Sequence, residues 1–266
     1  MALRQRRRAG IGGGAVNLSK IIGALKPSPS APSFACATCE DTGLIFTRAT
    51  KEVPGYSVEC RECDTIIRAH VEQFGSASGI PSKNLSSPGC STFAPRPDSS
   101  DDTLRAFCER YIAEFTPASG GAVFYGPPGT GKSYAAACIA SGVLHRRFKP
   151  RFWDVPDLMA EIKSTFSERG GDESEWSIIS DARDADLLVL DDIGSEKASE
   201  FVNQELFLII NGRLIAGRPT IVTTNVGLNR WDSAFGPRIA SRLYEVAPKG
   251  SIIAVGGKDR RKDRST

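Results

Sequence analysis

Short apolar runs and helically spaced apolar positions alternate through the C-terminal two-thirds of the chain. The runs predict buried strands at residues 122–125, 151–155, 187–190, 220–224 and 251–255. Between them, apolar residues at helical spacing predict helices at residues 102–115 and 156–166. Residues 134–143, which are rich in Ala and lack Pro, and residues 200–215 are also predicted to be helical. Strands that alternate with helices form parallel sheets covered by helices on both faces. The pattern therefore predicts an α/β domain over residues 101–266.

The first hundred residues lack this alternation and divide by composition. Residues 1–33 are rich in Arg, Gly, Ser and Pro, which predicts a flexible basic arm. Residues 34–70 hold two pairs of cysteines and are predicted to form a small separate domain. Residues 71–100 are rich in Ser, Pro and Gly, which predicts a linker.

One segment between a predicted strand and a predicted helix carries the clearest chemistry. It matches the pattern G-x-x-x-x-G-K-[ST] and consists of Gly126, Pro127, Pro128, Gly129, Thr130, Gly131, Lys132 and Ser133. Its glycines let backbone N–H groups approach a polyphosphate, and the start of the following helix adds partial positive charge. In this pattern Lys132 reaches the β- and γ-phosphates, and the Ser133 hydroxyl binds Mg²⁺. The segment predicts a phosphate loop that binds a nucleoside triphosphate.

Polar residues at the ends of two predicted strands complete this site. Asp191 and Asp192 directly follow the apolar run 187–190. We assign Asp191 to the magnesium ion and Asp192 to polarisation of the attacking water. Asn225 follows the next strand and is predicted to orient the same water, although Asn is also a common turn residue after a strand. Ligands of parallel sheets bind at the carboxyl ends of the strands, so these groups are expected to converge.

Arginines near the C-terminus are candidates for contact with phosphate. Arg238 and Arg242 are four residues apart, which places them on one face of a helix. They are either surface residues in ion pairs or arginine fingers that neutralise charge on a transferring phosphoryl group, with Arg242 the first choice. Arg261 is predicted to contact the bound phosphates, with Arg260 as its alternative.

The cysteines fall into two groups. Cys36 and Cys39 form one C-x-x-C pair, and Cys60 and Cys63 form a second pair after twenty intervening residues. This spacing is typical of a four-cysteine zinc site, in which metal binding stabilises a segment too small to fold alone, whereas redox-active pairs are the alternative. The remaining three show no ligand spacing, and the last two are predicted core residues: Cys90, Cys108 and Cys138.

Composition adds limits rather than a function. The chain has 266 residues, of which 40% are hydrophobic and 24% charged, as in ordinary globular proteins. No apolar run approaches the length of about 18 residues that a membrane span needs, and the N-terminus lacks the apolar segment of a signal peptide, so we expect a cytoplasmic protein. The net charge of +3 is too small to identify a nucleic-acid-binding protein.

These motifs, in this order, resemble those of AAA+ ATPases. Within that superfamily the chain is similar to the replicative helicase loaders of the DnaC/DnaI type. The similarity lies in residues 78–81, 188–194, 219–225 and 238–243, and it extends over about residues 34–262. It implies an AAA+ sheet without a C-terminal lid, ATP and ADP as ligands with Mg²⁺ and Zn²⁺, and slow ATP hydrolysis.

The resemblance also implies partners. Such loaders bind a hexameric replicative helicase through the N-terminal region and single-stranded DNA through the ATPase domain, in the cytoplasm of a bacterium or as phage-encoded proteins. Subunits are expected to associate in an ATP-dependent ring or spiral, where Arg242 would reach a neighbour's nucleotide. For DNA contact, the basic and aromatic segment 145–149 and the segment 156–184 are the candidates, although the former is equally typical of a solvated helix end.

Two other functions are compatible with the sequence. A transposition helper ATPase of the IstB type has the same lidless core but generally lacks a four-cysteine module. A zinc-dependent adaptor with a slow ATP switch is the second alternative.

Overall fold

The computed structural model describes residues 44–47, 56–59, 64–85, 90, 96, 99–165, 171–195 and 199–262. Its centre is a parallel five-stranded sheet with the strand order β4-β5-β6-β3-β7. The strands are β3 (Ala122–Tyr125), β4 (Pro150–Asp154), β5 (Leu187–Ile193), β6 (Thr220–Thr224) and β7 (Ile252–Ala254). A separate antiparallel hairpin consists of β1 (Leu44–Thr47) and β2 (Tyr56–Glu59). The predicted parallel sheet is confirmed.

Eight α-helices occur in the part of the chain that the structure describes. They are α1 (Asp64–Phe74), α2 (Ser82–Leu85), α3 (Asp101–Glu114), α4 (Lys132–His145), α5 (Val155–Thr165), α6 (Gly171–Asp184), α7 (Glu200–Ile215) and α8 (Trp231–Val246). Helix α8 is kinked at Gly236, whose φ of 77° lies in the left-handed region, directly before Pro237. None of the described helices has both the length and the apolar composition to cross a membrane.

The sheet is buried on both faces because successive residues of each strand point to opposite sides. In β3, Phe124 packs in the core beneath α3 and α4, whereas Val123 packs in the core beneath α5 to α8. Leu187 and Val189 of β5 likewise face the first core, and their neighbours face the second. Apolar residues on both faces are what a covered parallel strand requires, which explains the uninterrupted run in β5.

Residues 64–85 differ from the sequence prediction. They were assigned to the end of the cysteine domain and to a linker, but they form α1, a short 3-10 turn and α2. Ile80 is only 5% exposed, and Val71, Phe74 and Leu85 pack against the core. These apolar residues contact the sheet-covering helices, which composition rich in Ser, Gly and Pro did not indicate.

The three scattered cysteines lie in the core beneath α3 and α4. Cys90, Cys108 and Cys138 are each at most 2% exposed and carry free thiols. The prediction for the latter two is therefore confirmed. Cys36, Cys39, Cys60 and Cys63 lie outside the described residues, and among the described residues no group of three or more His, Cys, Asp or Glu side chains is placed to hold a metal ion.

Candidate nucleotide-binding site

The phosphate loop connects β3 to α4 and needs glycine for two physical reasons. Gly126, Gly129 and Gly131 have φ values of 143°, 75° and 106°, which side chains disfavour. A Cβ atom would also lie 2.2 Å from the Val255 carbonyl oxygen at Gly126 and 1.8 Å from an Asp259 carboxylate oxygen at Gly129. The loop is thus closely covered by the chain that follows β7.

Lys132 begins α4 and points back into the loop. The side chain is 5% exposed, and its Nζ donates hydrogen bonds to the carbonyl oxygens of Gly126 (2.9 Å) and Pro127 (2.7 Å) and to Asn225 Oδ1 (2.7 Å). Burial lowers the pKa of this ammonium group, while the nearby charges of Asp192 and Asp191 oppose that shift. The loop therefore holds a cation at its centre.

Asp191 and Asp192 lie near the carboxyl end of β5, just before the buried Ile193, and both are contacted by one hydroxyl. Thr223 Oγ1 donates to Asp191 Oδ1 at 2.5 Å and accepts from the backbone N–H of Asp192 at 2.9 Å. Asp191 is 8% exposed, and burial raises the pKa of its carboxyl, with hydrogen bonds from Thr223 and Ser133 acting in the opposite direction. Thr223 is a site residue that the sequence analysis quoted only as part of a strand.

Asn225 connects the cation to the acid. Its Nδ2 donates to Asp192 Oδ1 at 2.6 Å, while its Oδ1 accepts from Lys132. Asp192 itself has a φ of 59°, in the left-handed region, next to a break in the register between β5 and β6. A single amide thus bridges Lys132 and Asp192.

A cleft of about 1160 Å³ opens over these groups, and most predicted site residues line it. Its lining includes Gly129, Gly131, Lys132, Ser133, Asp191, Asp192, Asn225, Arg260 and Arg261. Residues that the sequence analysis did not assign to the site also line the cleft, among them Gly79, Pro81, Trp153 and Asp154. Gly79 packs so closely on the backbone of β4 that a Cβ there would lie 2.2 Å from the Phe152 carbonyl oxygen.

The oxygen ligands in this cleft fit a magnesium ion. The Ser133 hydroxyl and the Asp191 carboxylate both line the cleft, and Ser133 lowers the pKa of this carboxyl. Asp154, which pairs in register with Asp191, adds a third oxygen-bearing side chain to the lining. Carboxylates and hydroxyls are the hard ligands that Mg²⁺ prefers.

Arg238 and Arg242 lie elsewhere. Their guanidinium carbons stand 4.3 and 5.9 Å from the centre of the Phe207 ring on α7, so the prediction that they share a helical face is confirmed. Arg242 also pairs with Glu245 at 2.6 Å. Neither arginine lines the nucleotide cleft of its own subunit.

The segment 145–149 is engaged in the fold rather than presented to solvent as a unit. Phe148 packs edge-on against Phe115 with ring centres 5.0 Å apart, and Arg146 donates to the carbonyl oxygens of Ile112 and Phe115. Phe148 is thus not available as a stacking platform. The most exposed aromatic ring among the described residues lies on α6, where Trp176 is 61% exposed beside Arg183.

A glycine loop at the start of a helix, with a buried carboxylate and an amide at neighbouring strand ends, defines a P-loop nucleotide-binding protein of the AAA+ fold. The family model of IstB-like ATP-binding proteins matches residues 105–265. The chain therefore belongs to the family of IstB-like ATP-binding proteins.

Individual relatives agree with this assignment. Over 134 residues the chain is 32% identical to the replicative helicase loader DnaC of Escherichia coli K12, a match that covers 50% of this chain and 54% of that protein. It is 25% identical over 124 residues to a protein named as ATP-binding in an insertion sequence of Mycobacterium tuberculosis, covering 46% of this chain and 48% of that protein. The matches thus span about half the length of these relatives.

The fold comparison points the same way. The crystal structure of the DnaC helicase loader superposes with a TM-score of 0.57 at 24% identity and covers 66% of this chain and 100% of that chain. At this level of identity the comparison establishes the fold alone.

Proposed function

We propose that this protein is an ATP-dependent loader of a hexameric replicative DNA helicase, which it delivers onto single-stranded DNA when replication begins. The observation that carries the proposal is the 32% identity to DnaC over half of the chain. The site geometry supports it, because the groups expected for ATP hydrolysis converge on one cleft. The proposed place of action is the bacterial cytoplasm, for a protein encoded by the bacterium or by a phage.

ATP hydrolysis would use the groups that line the cleft. Lys132 would exchange its carbonyl acceptors for phosphate oxygens, which are charged and form stronger hydrogen bonds. Ser133 and Asp191 would hold Mg²⁺, which supplies positive charge opposite the phosphates. Asp192, held by Asn225, would orient and polarise the attacking water. Arg261 would contact the phosphates from the other side of the cleft.

We propose that a second subunit completes this site. The cleft contains no candidate finger among the described residues of α8, whereas Arg242 and Arg238 are presented over Phe207 on another surface. Subunits arranged in a ring or spiral would bring Arg242 to the γ-phosphate of a neighbour. Turnover by the isolated protein is then expected to be slow.

Single-stranded DNA would contact α6 within the segment 156–184. Trp176 offers a flat exposed ring, and Arg183 lies 5.8 Å from its centre, where it can reach a phosphate. Stacking on one aromatic side chain contributes about 1–3 kcal/mol per base. We expect Trp176→Ala to weaken binding of oligothymidine about tenfold or more by fluorescence anisotropy, while Phe148→Leu leaves that affinity unchanged.

The four N-terminal cysteines would hold a zinc ion that folds the helicase-binding region. Their spacing is the support for this proposal. Elemental analysis is expected to find about one zinc per chain, and replacement of Cys36 and Cys39 by Ser is expected to remove it. Cys90→Ala, at a buried free thiol, is the matched control and should retain the metal. Absence of zinc from the purified wild-type protein would refute the module.

The loader activity is tested with the replicative helicase of the same organism. With ATP, the protein is expected to form a complex with the hexamer and to increase its loading onto circular single-stranded DNA. Lys132→Ala should abolish the stimulation, whereas Lys249→Ala, at an exposed turn, should not. A protein that neither binds the helicase nor promotes loading would overturn the proposal.

A second function has support from the comparisons. The family model and the M. tuberculosis relative both point to ATP-binding proteins of insertion sequences, so a transposition helper is the alternative. ATP-dependent binding to a transposase encoded beside this chain, with no binding to the helicase, would favour it.

Two variants distinguish a zinc-dependent adaptor with a slow ATP switch from the helicase loader and from the transposition helper. If Cys36→Ser abolishes partner binding and Lys132→Ala leaves it intact with and without ATP, the function depends on the zinc module rather than on nucleotide.

A further inference from the structure

The chain that enters the ATPase core meets the chain that leaves it at Asp101. This residue begins α3, and its side chain is fully buried. Its Oδ2 accepts hydrogen bonds from the backbone N–H (3.1 Å) and the Nε (3.3 Å) of Arg96. The same oxygen pairs with the guanidinium of Arg260 at 2.6 Å. One carboxylate thus joins two arginines that are far apart in sequence.

Arg260 belongs to a segment, residues 256–261, that we call the strap because it lies across the phosphate loop. The backbone N–H of Arg260 donates to the Gly129 carbonyl oxygen at 2.9 Å. The Asp259 carboxylate fills the space where Gly129 lacks a side chain and accepts from the backbone N–H of Arg261 at 2.9 Å. The strap therefore covers the glycine that bends the loop and brings Arg261 into the cleft.

The other edge of the strap contacts the entering chain. Arg96 donates to the Lys258 carbonyl oxygen at 2.9 Å. The Ser100 hydroxyl accepts from the Gly256 backbone N–H at 3.1 Å. Gly257 has a φ of 130° and packs so closely on Ser99 that a Cβ would lie 3.1 Å from the Ser99 Cβ. Displacement of Arg96, Ser99 and Ser100 would therefore displace the strap.

The Asp101 carboxyl is ionised, which favours its contacts with the two arginines. Burial alone would raise the pKa of this carboxyl, but hydrogen bonds and charge from Arg260, together with Ser99 and Arg96, outweigh it and lower the pKa. The group is thus ionised at neutral pH. A buried carboxylate that loses one ion-pair partner keeps a negative charge that is not fully compensated. Loss of either arginine contact is therefore unfavourable, which keeps both arginines in place.

We propose that Asp101 is a positioning residue for nucleotide binding, which holds the strap on the phosphate loop through Arg260 and couples it through Arg96 to the chain preceding the ATPase domain. A partner that pulls on that preceding chain would then change the affinity for ATP at the cleft. The proposal rests on the nucleotide site of the proposed function and is independent of helicase loading.

The test measures ATP binding by the isolated full chain, without helicase or DNA. Asp101→Asn is expected to raise the Kd for a fluorescent ATP analogue about tenfold, and Asp101→Glu is expected to recover part of the loss. Glu109→Gln is the matched control, because Glu109 lies on the same helix in an exposed pair with Arg105 and should bind ATP like the wild type. Arg96→Gln should weaken binding less, by about threefold.

Hydrogen exchange of backbone amides distinguishes a local effect on the strap from a general loss of stability. In Asp101→Asn, hydrogen exchange is expected to accelerate in residues 256–261, including the Arg260 amide that donates to Gly129, and to remain unchanged in β5. Unchanged exchange in the strap and unchanged ATP affinity would overturn the proposal, whether or not the protein later proves to load a helicase.

Arg260→Gln tests the same contact from its partly exposed partner and serves if Asp101→Asn does not fold. It is expected to weaken ATP binding about tenfold, and the double variant should be no weaker than either single one, because both remove one interaction. Additive losses, about a hundredfold in the double variant, would show that the two residues act separately. Wild-type affinity in Arg260→Gln would also overturn the proposal.

Discussion

The nucleotide cleft and the arginine surface of α8 present positive charge in different ways. In the cleft, Lys132 is buried and hydrogen-bonded to the groups that surround it. On α8, Arg238 is exposed, and Arg242 is held over Phe207 and paired with Glu245. The first arrangement is complete within one chain, whereas the second is proposed to act on the nucleotide of a neighbouring subunit. We therefore expect that mutations can change ATP binding and ATP turnover separately.

Removal of an arginine from the α8 surface is expected to have the largest effect. Arg242→Ala should lower ATP turnover in the assembled complex about a thousandfold, because an arginine supplied to the transferring phosphoryl group is worth at least that much. ATP affinity of the isolated chain should stay within about twofold, since Arg242 does not line the cleft. Steady-state turnover with and without the assembled partners measures both.

The control for this variant is Arg110→Ala, which removes another surface arginine that lies over an aromatic ring, Phe107. It should leave turnover unchanged. Equal turnover of wild type and Arg242→Ala in the assembled complex would break the comparison, and Arg238→Ala would then be tested as the finger.

A third arginine sharpens the contrast because it is buried and structural. Arg213 is fully buried and donates to the carbonyl oxygens of Ala182, Ala185 and Pro219 and to Thr220 Oγ1. Burial, followed by the charge of Arg218, lowers its pKa to about 9, so it stays charged at neutral pH. Arg213→Met should reduce the free energy of unfolding by about 3 kcal/mol, because several buried carbonyls lose their donors. Urea denaturation measures this loss.

Arg230→Met, at an exposed position in the turn before α8, is the matched variant for Arg213. Its free energy of unfolding should differ from the wild type by less than about 0.5 kcal/mol. An equally small effect of Arg213→Met would contradict a structural role.

Asn225→Ala tests whether Asn225 orients the groups that hydrolyse ATP or contributes to ATP binding. The amide joins Lys132 to Asp192, so its loss should lower turnover about a hundredfold, in the range found for one oriented hydrogen-bond donor. The affinity for ATP should change much less. Asn229→Ala, in the exposed turn that follows, is expected to behave like the wild type in single-turnover assays. A loss of ATP affinity as large as the loss of turnover would assign Asn225 to binding instead.

The pH dependence of the cleft provides the smallest effect. Burial raises the pKa of Asp191, so as the pH falls its carboxylate is protonated earlier than an ordinary Asp. Binding of Mg²⁺–ATP should weaken about tenfold per pH unit below that pKa, because the metal needs the ionised form. Since the folded-state pKa is raised, this group favours folding below it and opposes folding as the pH rises through it.

Asp191→Asn provides the comparison for this titration. It should bind Mg²⁺–ATP weakly and without this pH dependence. The same slope in wild type and variant, measured by calorimetry at several pH values, would show that another group titrates.

Sequence analysis predicted the elements with strong local signals. Four strands of the parallel sheet lie within one residue of their predicted bounds, whereas β5 continues three residues beyond its predicted end. The helices α3, α4, α5 and α7 were also predicted. The helices α1, α2 and α6 were missed. In α6 polar residues predominate, although Ile179 and Ala182 pack in the core. The helices α1 and α2 fall where composition indicates a cysteine domain and a linker. Local patterns are weak where packing rather than propensity stabilises an element.

The phosphate loop, Asp191, Asp192 and Asn225 were identified from the sequence because each motif has a local backbone requirement or follows an apolar run. What the tertiary structure alone decided is which groups touch: that Thr223 organises both aspartates, that Asn225 bridges Lys132 and Asp192, and that Arg242 stands apart from its own cleft. The contacts of Asp101 were also not predicted from the sequence, because only the fold brings Arg260, from the chain that follows β7, to the carboxylate that Arg96 contacts. Local chemistry is encoded by neighbours along the chain, whereas hydrogen-bond partners and burial depend on which strands lie side by side.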